Sequence, residues 1–329
     1  LEAPEVSPLG PLRFHPLFRR YLWGGRRLET HLGKQLGPGD DYAESWEICD
    51  RGEDQSVVLA GPAAGTTLGE LVRRRGPEIF GRLPPQPRFP LLLKFLDAAL
   101  PLSVQVHPND AQAAQLEPPD LGKTEAWVVL AVQPASIIYA GLRPGVTRQS
   151  LSEAIRKGTC QDLLHCFEPR PGDCVFLPPG TVHALGQGLL VAEIQQSSDV
   201  TFRLFDWNRL GPDGKPRPLA IEPGLGVVDF DRGPVDPQPP QPTDRPWVSR
   251  LAACDKFVLE RWDFDRPAVI GGDGRFHTVC VLEGAVGVQG DSAPGSLSCG
   301  QTVLLPASAG AVRLEPLGRT VLLDAFLPG

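Results

Sequence analysis

Residues 89–97, FPLLLKFLD, are apolar at nearly every position, a pattern that fits a strand buried on both faces. The next strand, predicted over 102–107, alternates instead. Leu102, Val104 and Val106 are apolar, whereas Ser103, Gln105 and His107 are polar and share the opposite face. A chain that lines up three polar side chains beside its most apolar segment needs a reason to do so.

The same reading predicts helices over 66–81, with a threonine cap and a glycine stop, and over 147–159, where Leu151, Ala154 and Ile155 recur at helical spacing behind Thr147. Strands are predicted over 123–132 and 135–142. After them, EPRPGDCVFLPPGTVHALGQGLLVAEIQQ reads as a strand, a Pro-Gly corner and a hairpin turning at Gly186–Gly188. Residues 211–246 are rich in Pro and Gly and read as a linker. Beyond it come more short strands. GDCVFLPPGTVH (172–183) and GQTVLLPASAGA (300–311) share a Gly, five residues and a Pro, but the second lacks the later Gly and the His. The prediction is a mainly β protein of two cupin-type jelly-roll barrels, with helical insertions in the first. Residues 1–240 would form the catalytic domain, with the Pro-rich linker at its end. Residues 241–329 would form a second, metal-free barrel that supports the first.

Composition narrows the class. With 36 Gly and 36 Pro in 329 residues, long helical bundles are excluded. The net charge of −7 argues against nucleic acid as a partner. Seven cysteines, with no C-x-x-C, point to free thiols in a reducing compartment. No secretory leader and no apolar run near membrane-spanning length is visible, so a cytoplasmic protein without membrane contact is expected.

GDCVFLPPGTVH fits G-x5-P-x-G-x2-H, which resembles the second motif of the cupin superfamily and places His183 at a strand start beside a Pro-Gly corner. Gln105 and His107 lie two apart on one strand, and Lys123 and Glu125 two apart on the next, so each pair shares a face. Side chains of this kind cannot stay unpartnered inside a barrel, where an unpaired polar group costs roughly 2–7 kcal/mol. A divalent metal would answer the need. Gln105, His107, Glu125 and His183 supply two imidazoles, a carboxylate and an amide oxygen, a set that suits Zn²⁺ with a position left open. One carboxylate against a dication leaves a charge of about +1, which keeps the ion a strong Lewis acid. A hydrogen-bonded structural histidine or a surface glutamate is the ordinary alternative for each residue singly.

PLLLKFLDAALPLSVQVHPND, LGKTEAWVVL, PPGTVHAL and EIQQSSDVTFRLFDWNR together closely resemble the type I mannose-6-phosphate isomerases, in their short bacterial form. YLWGGRRL and YAESWEI extend the likeness over the first ~220 residues. The resemblance implies a cupin-fold aldose–ketose isomerase interconverting mannose 6-phosphate and fructose 6-phosphate through an enediolate, with one Zn²⁺ per chain on Gln105, His107, Glu125 and His183. It implies Arg203, Lys123 and Glu193 as catalytic residues, and Ser103 and Lys94 beside the substrate. Glu193, Lys123 and a zinc-bound water remain alternatives for the proton-carrying base. A small sugar phosphate is then the partner, for a monomer or weak homodimer. Two other readings are a metal-dependent cupin oxygenase, disfavoured by Gln105 standing where those sites carry histidine, and a non-catalytic sugar-phosphate-binding cupin. The family's R-P-L-H segment reads Arg217-Pro218-Leu219-Ala220 here, and tyrosines near its arginine are Phe202, Phe205 and Trp207.

Overall fold

The structure, a computed structural model, describes residues 8–211 and 214–329. Among them, two pairs of antiparallel sheets form two barrels. In the first, a six-stranded sheet runs in the order Cys174–Leu177, Glu125–Val132, Leu189–Gln196, Leu91–Ala98, Tyr42–Ile48, Leu17–Gly25. It faces a five-stranded sheet of Leu164–Phe167, Ile138–Leu142, His183–Leu185, Val104–Val106 and Phe202–Phe205. The second barrel pairs a six-stranded sheet, drawn from strands between Gln241 and Phe326, with a four-stranded one.

The predicted helices form where their caps demand. Leu68–Phe80 starts at Thr67, whose hydroxyl accepts the Glu70 N–H, and stops at Gly81. Arg148–Lys157 has a capping box between Thr147 and Ser150 and ends on Gly158 in the left-handed region at φ 73°. Its buried face, Leu151, Ala154 and Ile155, covers the outer side of the five-stranded sheet.

Three expectations change. The strands on either side of Gly186–Gly188 are not a hairpin. His183–Leu185 lies in one sheet and Leu189–Gln196 in the other, so this turn is a corner between sheets. Gly188 takes it at φ 84°, where a Cβ would meet the Ser136 hydroxyl. The strands carrying Gln105 and Glu125 are not neighbours either, because they face each other across the barrel. Finally, residues 211–246 are more than a spacer. They contain the helix Ile221–Val227, which contributes Leu225 to the packing outside the five-stranded sheet, and they bond to the first barrel through Val235 N–Ala140 O and Gln238 N–Cys174 O. Two glycines and a proline in that helix, IEPGLGV, hide its periodicity.

All eight residues of Leu91–Ala98 are buried, and the reason lies in the packing of the barrels. Its inward face, with Leu96 and Ala98, joins the interior of the first barrel. Its outward face, with Leu91, Leu93 and Phe95, packs against Leu251, Leu259, Leu323 and Ala325 from the outside of the second barrel's six-stranded sheet. Phe80, Phe89 and Phe276 interlock beside this shared layer, with Phe89 and Phe276 ring centroids 4.8 Å apart. Phe89→Ala should therefore lower stability by about 3–5 kcal/mol. Denaturant unfolding should show both barrels melting together in one transition.

The second barrel also buries charge. His277 Nδ1 lies 2.9 Å from Asp324 and its Nε2 3.3 Å from Asp273. Burial opposes the imidazolium, but Asp324 and then Asp273 outweigh it and raise the pKa to about 9. Because this exceeds the ordinary 6.5, the pair stabilises the fold fully below pH ~6.5, and that share, roughly 3 kcal/mol, is lost as pH rises through about 9. The melting temperature should fall across that window in the wild type and much less in His277→Gln.

Candidate metal centre and active site

The alternation in 102–107 sends Val104 and Val106 outward into the layer under the helices, and leaves Gln105 and His107 facing the barrel interior. His183 pairs directly with Gln105 in register, so the PPGTVH corner sets the second imidazole beside the first. Gly180 holds that corner at φ 82°, donating its N–H to His107 O at 2.9 Å. From the opposite sheet, Glu125 at the start of its strand meets both histidines. The His107 and His183 ring centroids stand 4.9 Å apart. Glu125 Oε1 is 3.1 Å from His183 Nε2, and Oε2 is 3.6 Å from His107 Nε2. Gln105 Nε2 is 3.3 Å from His183 Nε2.

The donor chemistry fits a divalent cation. His107 Nδ1 lies 2.8 Å from the Val200 carbonyl and His183 Nδ1 2.9 Å from the Thr181 carbonyl. Each Nδ1 therefore carries the proton, and each Nε2 lone pair points into the cluster. No proton then lies between His183 and Glu125, and the fully buried Glu125 Oε1 has no hydrogen-bond donor among the described residues. Three acceptors within 4.8 Å of one another call for positive charge. Lys123 supplies some, with Nζ 2.7 Å from Glu125 Oε2 and 3.1 Å from His107 Nε2. Burial opposes the charge on Glu125, but Lys123 and the two imidazoles together outweigh it and hold the carboxyl well below its usual range. His107 is pushed well below its usual value, by burial first and Lys123 second, so its imidazole is neutral and able to ligate.

Above this cluster opens a cavity of about 320 Å³ whose lining includes Gln105, Lys123, Lys94, Ser103, Glu193 and Arg203. The structure thus brings together every residue singled out above. Lys94 keeps its ammonium buried. It lies 3.2 Å from Glu193 and 3.5 Å from Glu44, and although burial opposes its charge, these two carboxylates hold its pKa above the ordinary lysine value. Glu193 Oε2 accepts the Trp127 indole N–H at 2.9 Å, leaving Oε1 without a hydrogen bond of good geometry among the described residues. Burial pushes its carboxyl up, against the pull of Lys94. Arg203 is half-buried. Its Nη1 donates to Pro218 O at 3.0 Å, and its Nε has no partner among the described residues. A larger cleft of about 450 Å³ at the barrel junction holds Lys34 and Glu47, but these are already paired with each other at 2.5 Å.

Residues without a role in the sequence reading complete the wall. Glu44 accepts the Trp46 indole at 2.5 Å and faces Lys94, and the alternation of YAESWEI, with Glu44 and Trp46 on one face, was the available signal. Tyr21 and Trp23 of YLWGGRRL line the cavity, as does Asp199. Trp127 stands two residues from Glu125, edge-on to His183 at 5.3 Å, and so connects the metal cluster to Glu193.

Comparison with known proteins follows this geometry. A family model described as phosphomannose isomerase type I, catalytic domain, matches residues 12–125. The mannose-6-phosphate isomerase ManA of Bacillus subtilis is 35% identical over 307 residues, covering 93% of this chain and 96% of ManA. The chain belongs to the type I phosphomannose isomerase family. A crystal structure of the mannose 6-phosphate isomerase from Bacillus subtilis superposes with a TM-score of 0.87 at 30% identity, covering 96% of this chain and 99% of that one. The structure of a putative mannosephosphate isomerase from Archaeoglobus fulgidus, at 24% identity and TM-score 0.77, shares the fold over 99% of this chain. In this candidate metal site, loss of an imidazole would remove one of the three groups able to ligate. His183→Ala should lower divalent-metal affinity by more than the ~10–100-fold that an outer hydrogen-bond partner is worth, as read by elemental analysis after dialysis.

Proposed function

We propose that this phosphomannose isomerase family member interconverts mannose 6-phosphate and fructose 6-phosphate through an enediol(ate), with one Zn²⁺ held by Gln105, His107, Glu125 and His183. The observation that carries the reading is the meeting of that donor set with Lys123, Glu193 and Arg203 around one cavity. When bound, the ion supplies Lewis-acid stabilisation of the sugar's oxygens. The catalytic unit is residues 1–240, with 241–329 as the supporting barrel.

The chain's own residues divide the remaining work. Glu193 acts as the base on the open-chain aldose. Its raised pKa suits proton transfer near neutrality, and its Oε1 faces both Lys94 and Lys123. It takes the C2 proton, the C2–H electron pair forms the C1–C2 double bond, and the carbonyl pair moves to O1. Returning that proton to C1, as the O2 hydroxyl's proton passes to O1 and the C2=O bond forms, gives the ketose. Lys123 is tied to Glu125 and His107, which suits it to hold charge in place more than to shuttle a proton. Arg203 offsets the charge developing on the oxygens, and Trp127 fixes the Glu193 carboxylate. Ser103 and Lys94 bind the substrate. The net charge of −7 fits a small-molecule partner rather than nucleic acid, and no helix among the described residues is long and apolar enough to cross a membrane. A cytoplasmic monomer or weak homodimer completes the reading.

Chelator-treated protein should lose conversion in a coupled sugar-phosphate assay, and zinc should restore it. Full activity in a verified metal-free sample would end the proposal. Arg203→Ala should keep its metal while kcat falls about 10²–10³-fold, and Glu193→Gln should lose about 10²–10⁴-fold. Normal turnover in either variant would remove that residue from its role.

A further inference from the structure

Charge is spread unevenly around the active-site cavity. Near the metal cluster each lysine is already matched. Lys123 lies against Glu125, and Lys94 against Glu193 and Glu44, with Asp199 adding negative charge near Lys94. The wall that continues from Arg203 is the reverse. There Arg203, Arg209 and Arg217 gather around a single carboxylate, Asp206. Burial first and Arg217 second lower the Arg203 pKa, and Asp206 opposes them by less than Arg217 alone contributes. Positive charge on this wall is therefore under-compensated within the chain. We propose that Arg217 determines specificity for the phosphoryl group, its Nη1 holding the 6-phosphate of the sugar on this wall with Arg203 beside it. The identity of the sugar rests on the isomerase reading, whereas the preference for an anion follows from the wall itself.

Arg217 is held so as to present one edge. Its Nε and Nη2 donate to Asp206 at 2.7 and 2.6 Å, a two-point grip that fixes the guanidinium plane. Its side chain lines the cavity, and its Nη1 makes no hydrogen bond among the described residues. Asp206 is buried and held in turn by Arg209, through Nε at 3.0 Å and Nη2 at 2.8 Å. The turn between them is fixed as well. Trp207 and Asn208 both lie in the left-handed region, at φ 55° and 54°, a conformation that persists only where the surroundings enforce it. The Trp207 indole supplies one such anchor by donating to Leu102 O at 2.6 Å. Beyond the turn, Ala220 N–H bonds to Arg203 O at 2.8 Å and Arg203 Nη1 to Pro218 O at 3.0 Å, which seats the Arg217 segment against the Arg203 strand. Arg203, lining the same cavity, adds a buried Nε without a partner among the described residues. A cation is repelled by three guanidinium groups, and a neutral hydroxyl leaves their charge unanswered. A phosphate monoester brings negative charge and three acceptor oxygens, the partner a planar guanidinium fits best. Against Lys94 the same group would meet Glu193 and Glu44, which have already taken the ammonium.

The test reads binding first, so that it stands apart from turnover. The full zinc-loaded chain is titrated calorimetrically with sorbitol 6-phosphate, which has no carbonyl and cannot isomerise. The wild type should bind it saturably, and less tightly as ionic strength rises. Arg217→Gln should weaken that binding about tenfold or more and flatten its salt dependence, with zinc content and melting temperature unchanged. Arg217→Lys, which keeps the charge and loses the fork, should recover part of the affinity. In the mannose 6-phosphate assay Arg217→Gln should raise KM by a similar factor while kcat holds. Undiminished binding in Arg217→Gln would overturn the proposal. So would failure of the wild type to bind the ester, a salt dependence that the substitution leaves unchanged, or a loss accompanied by lower zinc content that Arg217→Lys does not restore. Binding that depends on Arg217 in a chain without turnover would end the isomerase reading and leave the anion site standing.

Discussion

Two carboxylates, Glu125 and Glu193, lie buried on neighbouring strands at the mouth of the first barrel, and the whole site follows from how their charge is balanced. An isolated carboxylate in such a place would give up its charge. Lys123 reaches Glu125 at 2.7 Å and Glu193 at 3.7 Å, and Lys94 reaches Glu193 at 3.2 Å and Glu44 at 3.5 Å. The two lysines thus share three acids, but unequally. Glu125 receives the closer ammonium and stays ionised for ligation, whereas Glu193 is pushed toward protonation. Two acids of the same type are set apart by environment, which suits the first to hold a cation and the second to move a proton, the roles proposed for them above.

That balance depends on depth, and depth depends on the sheet behind it. Lys94 and Glu193 face each other in register on central strands buried from both sides, by the interior of one barrel and by the back of the other. Water cannot screen their interaction from behind, so each contact in the cluster acts at low effective dielectric. The second barrel contributes to the electrostatics of the site by excluding solvent from its rear, without placing a side chain in it.

Much of this was legible in the sequence. The alternation Val104–Gln105–Val106–His107 and the spacing Lys123-x-Glu125 are local, and a two-residue period reports a shared face whatever the fold does next. The capped helices were equally local. What stayed hidden was relational. The strands of Gln105 and Glu125 meet across a barrel rather than edge to edge, and the turn at Gly186–Gly188 changes sheets; glycines that permit a hairpin permit a corner equally well. Glu44 carries no motif, and its partner Lys94 lies 50 residues away. His277 likewise carries no local signal, because Asp324 is distant in sequence and adjacent only through register.

The shared layer of Leu91, Leu93, Phe95, Leu251, Leu259 and Leu323 has a consequence for how such a protein can change over time. Each barrel is the other's missing wall, so neither half can be transplanted, deleted or traded for a relative's without exposing a broad oily face. Recombination at the junction is closed off, and diversification is confined to the rims, where loops and polar side chains vary without disturbing the seam.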